Sequence, residues 1–291
     1  MTQKPHLFCF GLGYTALALA RALKAPNGDW RVTGTVRDVS HADEAKALGL
    51  EIVIFDRDHP IADLDRRLAT ATHLLSAVPP DEHGDPVLEV HGAALAKAAP
   101  NLNWIGYLST TGVYGDRQGG WVDETSALIP TGERGRRRLD AETGWLALPL
   151  PAHLFRLAGI YGPGRSALDT VRSGKARRVV KPGQVFSRIH RDDIVQVLLA
   201  SIAHPNPGAA YNVCDDDAAD PAEVITHACK LLNVTPPPEV PFAEAQLSPM
   251  ARSFYDDNKR VRNDRIKREL GVTLKYPDYR AGLAALLAAE R

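Results

Sequence analysis

Residues 7–23 read LFCFGLGYTALALARAL, a short apolar run followed by two closely spaced glycines and then by apolar residues at helical spacing. Gly11 permits a tight turn from strand to helix, and Gly13 leaves the backbone open to the approach of a pyrophosphate. The N–H groups at the start of the helix, on Tyr14 and Thr15, would face the phosphates. We therefore predict that these four residues form a dinucleotide-binding turn.

The same stretch has a second interpretation as a secretory signal peptide. Lys4 precedes an apolar run, and Ala20-Arg21-Ala22 imitates a small-x-small cleavage site. However, Arg21 interrupts the apolar stretch, and cleavage would delete the strand that the predicted nucleotide site requires. The binding turn is therefore the favoured interpretation.

The composition narrows the classes of partner. The chain has 291 residues, with 35 lysines and arginines against 35 aspartates and glutamates. This neutral balance gives no reason to expect nucleic acid or an anionic membrane as a partner, and no apolar run is long enough to span a bilayer. Cys9, Cys214 and Cys229 are too few and too scattered for a disulfide framework or a zinc site. We expect a cytoplasmic monomer or homodimer that binds a small molecule and no metal.

Helices and strands alternate along the first half of the chain. After the opening strand, apolar runs of strand length lie at residues 30–36, 51–55, 72–78 and 104–108, and helical patterns separate several of them. This alternation predicts parallel strands joined by right-handed crossovers. The fold class is therefore α/β, a Rossmann-type doubly wound parallel sheet.

Three predicted strand ends carry residues that suit a cofactor. Arg37 would pair with the 2′-phosphate of NADP, where an acid would favour NAD, and the alternative is a solvated arginine paired with Asp38. Asp56 would contact an adenine edge or would be an exposed loop residue. Ser76 and Ala77 are small residues at a strand end, where a cofactor must pass close to the backbone. The cofactor that these residues predict is NADP rather than NAD.

Five motifs follow one another in a set order. They are the turn at 11–16, STTGVYG at 109–115, FRLAGIYGPGR at 155–165, IHRDDI at 189–194 and YNV at 211–213. In this order the chain resembles the extended short-chain dehydrogenase/reductases, which include sugar-nucleotide epimerases, dehydratases and related reductases. The resemblance covers nearly the whole chain. It implies a nucleotide-binding Rossmann domain at 1–158 plus 184–213 and a smaller C-terminal substrate domain at 159–183 plus 214–291.

One pattern of that family is missing. In the family, a Ser or Thr after the fifth strand and a Tyr-x-x-x-Lys pair on the next helix serve proton transfer and ribose binding. The resemblance places Thr110 at the hydroxyl position, but it places Arg134 at the tyrosine position and Arg138 at the lysine position. A guanidinium stays protonated, so Arg134 would stabilise an oxyanion and would be a poor proton donor or acceptor. Arg138 would still supply charge and ribose contacts.

The departure is shared with a YeeZ-like atypical branch of the family. That branch also lacks the Tyr-x-x-x-Lys pair and shows the VYGDxxG pattern found at 113–119. Its members have no agreed reaction. Tyr114 and Tyr161 are the phenols that the resemblance places near the nicotinamide, either as a substitute acid or as packing residues.

The second half leaves further alternatives open. A basic stretch at 172–181 would border a substrate cleft or form a solvated rim, and Asp192-Asp193 would cap a helix after His190. The leading hypothesis is an NADP-dependent oxidoreductase or epimerase-like enzyme acting on a small polar, anionic metabolite, with Thr110, Arg134 and Tyr114 as catalytic candidates. The alternative is a non-catalytic NADP-binding sensor or partner-binding protein.

Overall fold

The computed structural model describes residues 4–25 and 28–290, without the side chain of His41. The strands are β1 (His6–Phe10), β2 (Arg31–Val36), β3 (Glu51–Ile54), β4 (His73–Ser76), β5 (Trp104–Thr110), β6 (Trp121–Val122), β7 (Ala152–Leu157), β8 (Gly159–Tyr161), β9 (Arg178–Val180), β10 (Arg188–His190), β11 (Ala210–Val213), β12 (Glu239–Pro241) and β13 (Arg260–Val261). The helices are α1 (Tyr14–Leu23), α2 (Asp43–Ala47), α3 (Leu64–Leu68), α4 (Pro86–Ala98), α5 (Glu133–Ala147), α6 (Ala167–Arg172), α7 (Arg191–Ala203), α8 (Pro221–Leu231), α9 (Pro249–Ser253), α10 (Asp264–Leu270) and α11 (Tyr279–Ala289).

The largest sheet is the Rossmann sheet that the alternation predicts. Its seven strands lie in the order β11-β7-β5-β4-β1-β2-β3. The first strand pairs in parallel with both β2 and β4, and these pair in parallel with β3 and β5. Because β1 lies between β2 and β4, the strand order reverses beside it, and the α/β fold class is confirmed.

Contacts divide the chain into two compact units of similar size. The first contains the described residues of Met1–Thr110 with Arg136–Arg156 and Val195–Tyr211, and the second contains Thr111–Gly135, Leu157–Ile194 and Asn212–Arg291. Compared with the boundaries expected from the sequence, residues 111–135, 157–158, 184–194 and 212–213 group with the second unit. The reason is the short β6, which pairs with β13 and so ties the first of these segments to the C-terminal part.

Each unit has its own core. In the first, aromatic and aliphatic side chains from the sheet and its helices pack together, among them Phe8, Phe10, Tyr107 and Trp145. In the second, one cluster joins α6, α8 and α11, and a smaller one surrounds Tyr255. Helix α11, at Tyr279–Ala289, closes the described chain. Among the helices of the described chain, none combines the length and apolar character that a bilayer span requires.

Candidate dinucleotide site

The turn after β1 is held by bonds to the neighbouring strand. Gly11 has a φ of +86°, which favours glycine, and its N–H donates to Oγ1 of Thr35 at 2.8 Å. The N–H of Leu12 donates to the carbonyl of Thr35, also at 2.8 Å. The side chain of Leu12 fills the space beside Gly34, where an added Cβ would lie 2.3 Å from its Cγ. This role of Gly34 was not predicted from the sequence, although a glycine inside a strand often marks a place where another part of the chain approaches the backbone closely.

Gly13 is the N-cap of α1 and leaves the mouth of the turn open. Its backbone is extended, and a Cβ added there would meet no atom within 4 Å. Tyr14 and Thr15 follow as the first residues of the helix, and Thr15 is buried. An open surface at a helix N-terminus, beside a glycine turn, fits a pyrophosphate.

Arg37 lies exposed, directly after β2. No carboxylate in the described part of the chain forms an ion pair with it, and the alternative partner, Asp38, accepts the N–H of Ser40 at 2.9 Å. The guanidinium is therefore available to a ligand.

Asp56 follows β3 and shapes its own loop. Its Oδ1 accepts the N–H groups of Asp58 and His59, each at 2.9 Å, and contacts Nδ1 of His59 at 2.8 Å. The hydrogen bond from the His59 side chain is the main reason that the pKa of Asp56 lies below its ordinary value. The loop role is observed, and a contact with adenine stays a prediction.

Ser76 ends β4 with an unused hydroxyl. The residue is fully buried, and its Oγ has no hydrogen-bond partner among the described residues. Ala77 follows, and its N–H donates to the carbonyl of Phe10 at 2.9 Å, which places this strand end beside the turn. A buried polar atom without a partner is rare, and a bound ligand would give it one. The residues of this edge thus fit a dinucleotide.

The end of β5 presents two hydroxyls on opposite faces. Thr110 is half-buried at the last position of the strand. Ser109 is buried, and its Oγ donates to Oε1 of Glu142 at 2.5 Å. Glu142 in turn accepts Nη2 of Arg156 at 2.8 Å. Ser109, Glu142 and Arg156 thus form a buried group that joins α5 to β5 and β7, and we call it the α5 anchor. This group was not predicted from the sequence.

Arg138 is also bound to β5. Its Nη1 donates to the carbonyl of Leu108 and lies 3.5 Å from the hydroxyl of Tyr107, whose ring centroid is 5.8 Å from the guanidinium carbon. The side chain therefore holds a fixed positive charge at the end of this strand. Its predicted contact with a ribose stays a prediction.

The other two catalytic candidates belong to the second unit. Arg134 is exposed in the first turn of α5, and its guanidinium carbon lies 5.2 Å from the ring centroid of Phe254, which is itself 52% exposed. Tyr114 is fully buried, and its hydroxyl donates to Oδ1 of Asn212 at 2.7 Å. This geometry favours the packing alternative for Tyr114. Tyr161 is similar, since it is buried and its hydroxyl donates to the carbonyl of Asp278.

His190 is a packed residue and not a group open to solvent. It is 1% exposed, its ring centroid lies 4.0 Å from that of Tyr276, and burial lowers its pKa to about 4. Its Nδ1 accepts the N–H of Asp192 at 3.1 Å, so the histidine caps α7. Asp193, which was expected to cap this helix, instead accepts the N–H groups of Lys275 and Tyr276. Across the described residues, no group of three or more acidic, His or Cys side chains is arranged to bind a metal ion.

Comparison with known proteins places the chain in a family. No protein-family model matches the sequence, and no curated protein matches it significantly. A solved structure does: a functionally unknown conserved protein from Silicibacter pomeroyi DSS is 53% identical, with a TM-score of 0.91, over 98% of this chain and 99% of that chain. The chain belongs to the same family as this protein.

More distant structures resemble this chain over nearly its whole length. A candidate NAD-dependent epimerase/dehydratase from Methylobacillus flagellatus is 27% identical over 99% of both chains, with a TM-score of 0.76. UDP-glucuronic acid 4-epimerase from Bacillus cereus, in complex with UDP-glucuronic acid and NAD, shares the fold at 15% identity and a TM-score of 0.77, over 98% of this chain and all of that chain. The resemblance to the extended short-chain dehydrogenase/reductase superfamily is confirmed. Membership of the YeeZ-like branch stays a prediction.

Proposed function

We propose that the protein is an NADP-dependent oxidoreductase or epimerase-like enzyme that acts on a small polar, anionic metabolite. The observation that carries this proposal is Arg37, an exposed guanidinium without an ion-pair partner in the described chain, at the end of the strand beside the glycine turn. The Methylobacillus flagellatus and Bacillus cereus structures are described as NAD-dependent and as holding NAD, respectively. Both descriptions support a nicotinamide dinucleotide, and the preference for NADP rests on Arg37.

In this proposal, different residues of the first unit bind different parts of the cofactor. The turn from Gly11 to Thr15 would hold the pyrophosphate, and Arg37 would bind the 2′-phosphate. Asp56 would lie at the adenine, and Ser76 with Ala77 would line the path of the dinucleotide. Arg138 would bring its fixed positive charge to the ribose. When bound, the cofactor supplies or accepts a hydride at the nicotinamide.

Thr110 and Arg134 would handle the substrate. Thr110 has a hydroxyl that can orient a polar group, and Arg134 presents an exposed, permanently protonated guanidinium. Such a cation stabilises developing negative charge but does not exchange protons at working pH. The proton would therefore come from water or from another side chain.

Cofactor preference is tested by measuring NADPH and NADH binding calorimetrically. Arg37→Ala should weaken NADPH binding about tenfold or more, because a hydrogen-bonded charge pair is lost, and should leave NADH binding nearly unchanged. Arg66→Ala is the matched control, since Arg66 is an exposed arginine on α3 that pairs with Asp63. An equal loss for both cofactors would refute the assignment of NADP.

Turnover is tested with deuterated NADPH and a cell extract. Transfer of deuterium to a metabolite, reduced in Arg134→Gln, would support an enzyme whose arginine stabilises charge. Absence of transfer across a broad panel of metabolites would contradict it.

One observation favours the alternative of a non-catalytic sensor. The position that carries a proton-transferring tyrosine in the family carries Arg134, and this arginine stacks against Phe254. A sensor predicts that NADPH raises the melting temperature through mass action while no hydride is transferred. We also propose a cytoplasmic location, because the buried Cys9, Cys214 and Cys229 are all unpaired thiols. A small-molecule partner and a monomer or homodimer remain part of the proposal.

A further inference from the structure

A cavity of about 560 Å³ lies within the second unit. Residues of α6, α8 and α11 border it, together with residues of β8 and β10. Part of its wall is apolar, formed by Ile160, Val224, Ile225 and Leu283 with Tyr279 beside them. A space of this size with apolar walls suits a small molecule, provided that polar groups also converge on it.

Arg188, on β10, is the polar group that matters most. Its Nη1 donates to the carbonyls of Phe186 at 2.7 Å and Ala219 at 3.0 Å. Within the described part of the chain, no acceptor binds its Nε or Nη2, and no carboxylate lies at ion-pair distance. The edge formed by Nε and Nη2 is one that can bind a carboxylate through two parallel hydrogen bonds. Arg188 lines the cavity, and its Nε–Nη2 edge has no acceptor among the described residues.

The acids that offset the charge of Arg188 do so without an ion pair at contact distance. Desolvation lowers its pKa, and the opposing influence comes first from Asp215. Burial raises the pKa of Asp215 to about 8, which weakens its attraction for Arg188 near neutral pH. A bound anion would give the half-buried Arg188 guanidinium a counter-ion at contact distance.

The remaining charged residues make the lining cationic. Lys175 and Arg165 line the cavity and are exposed. Lys175 forms no ion pair with any described residue. The acid in the lining, Asp169, is occupied by Ser166, whose N–H and hydroxyl it accepts at 2.8 and 2.6 Å.

Lys175 differs from the other cations of the basic stretch at 172–181, because it forms no ion pair with a described residue. Each of those contacts a protein acceptor: Arg172 pairs with Glu290, Arg177 donates to the Gln246 carbonyl, Arg178 pairs with Glu239, and Lys181 donates to the Tyr255 carbonyl. Most of the basic stretch is therefore structural, and the part that lines the cavity is the part left for a ligand.

We propose that this cavity binds a small carboxylate with an apolar body. The carboxylate would sit on the Nε–Nη2 edge of Arg188, and the apolar body would pack on Ile225 and Leu283. A single negative charge matches the half-buried guanidinium of Arg188, and the exposed Lys175 adds attraction at the rim. The site lies wholly within the second unit. Its lining includes Tyr161, which the resemblance places near the nicotinamide, but none of the residues proposed above to bind the cofactor. It therefore stands independently of the proposed function.

The ligand class is tested by calorimetry on the full chain with hexanoate, hexan-1-ol and hexyl phosphate. Hexanoate should bind saturably, and hexan-1-ol should bind at least about tenfold more weakly, because it makes no charge-assisted pair. Equal binding of hexanoate and hexan-1-ol would overturn the proposal, as would the absence of saturable hexanoate binding. Tighter binding of hexyl phosphate than of hexanoate would overturn the assignment of a carboxylate.

The location is tested with variants. Arg188→Lys keeps the charge but removes the fork, and it should weaken hexanoate binding about tenfold. Ile225→Trp fills the cavity while leaving Arg188 intact, so it covers the case in which the Arg188 variant does not fold, and it should abolish binding. Arg177→Ala, outside the cavity lining, is the control and should bind as the wild type does. Unchanged affinity in Ile225→Trp would place the ligand elsewhere and refute the proposal.

Discussion

Replacing Glu142 in the α5 anchor by glutamine is expected to remove a large part of the stability. The side chains of Glu142 and Arg156 are 3% and 5% exposed, and the carboxylate also accepts the hydroxyl of Ser109. Glutamine keeps the volume, but it removes the carboxylate that pairs with the buried Arg156 charge and points an amide N–H group toward other donors. Removing one partner of a buried ion pair costs about 3–5 kcal/mol. We expect a loss of this size in the free energy of unfolding.

The assay is urea denaturation followed by tryptophan fluorescence. The matched control is Glu44→Gln, which breaks an exposed pair with Arg21 whose side chains are 50% and 52% exposed, and which should cost less than about 1 kcal/mol. Combining Glu142→Leu with Arg156→Met should restore most of the loss, because apolar groups of similar volume often replace a buried pair without penalty.

Two results would refute this reasoning. One is a loss in Glu142→Gln no greater than that in Glu44→Gln, which would mean that water reaches the pair. The other is a double variant as unstable as the sum of its single variants, which would mean that Glu142 and Arg156 do not stabilise one another.

Three further predictions concern the turn, a buried histidine and a buried tyrosine. A Cβ at Gly13 meets no atom within 4 Å, whereas one at Gly34 lies 2.3 Å from Leu12 Cγ. Gly13→Ala should therefore change the free energy of unfolding by less than about 0.5 kcal/mol yet weaken NADPH binding, while Gly34→Ala should lower the free energy of unfolding by about 1–3 kcal/mol. Equal stability of the two variants would contradict this. The pKa of His190 is lowered to about 4 from an unfolded value of 6.5, so between these pH values the unfolded chain binds more protons than the folded chain. The free energy of unfolding should therefore fall as the pH is lowered from 6.5 to 4, and His190→Gln should make this dependence on pH weaker. Tyr114→Phe should lower the free energy of unfolding by about 1–2 kcal/mol, because the buried Oδ1 of Asn212 loses its hydrogen-bond donor, and NADPH turnover should be retained. Loss of turnover at normal stability would instead support a catalytic role for Tyr114.

The first part of the fold is predictable because its signal is local. The opening strand is observed as His6–Phe10, and the apolar runs at 30–36, 51–55, 72–78 and 104–108 are observed as β2, β3, β4 and β5. Each of these elements carries its apolar period, its glycine or its proline within a single short window. The open surface over Gly13 was predictable from the same window, and a Cβ added at Gly13 indeed meets no atom within 4 Å.

The α5 anchor is not predictable in this way. Ser109 and Arg156 lie 33 and 14 residues from Glu142, so no local pattern joins them. One signal was present: Arg156 interrupts a strand whose other residues are apolar or histidine and whose every position is buried. A charged residue in such a strand requires a buried partner, but the sequence does not name it.

Helix α5 carries three charged residues that bear on the proposed chemistry. Arg134, Arg138 and Glu142 follow one another at intervals of four residues, so they lie along one side of the helix. Glu142 fixes the helix to the sheet, and Arg138 is bound to the carbonyl end of β5, so the charge at the family's lysine position is rigid. Arg134 is exposed and lies over the exposed Phe254 ring, so in the proposed function the charge at the tyrosine position would be the one that meets a substrate. The replacement therefore preserves positive charge at both positions and removes the proton donor from one, which favours reactions that build up negative charge over reactions that need a phenol to exchange a proton.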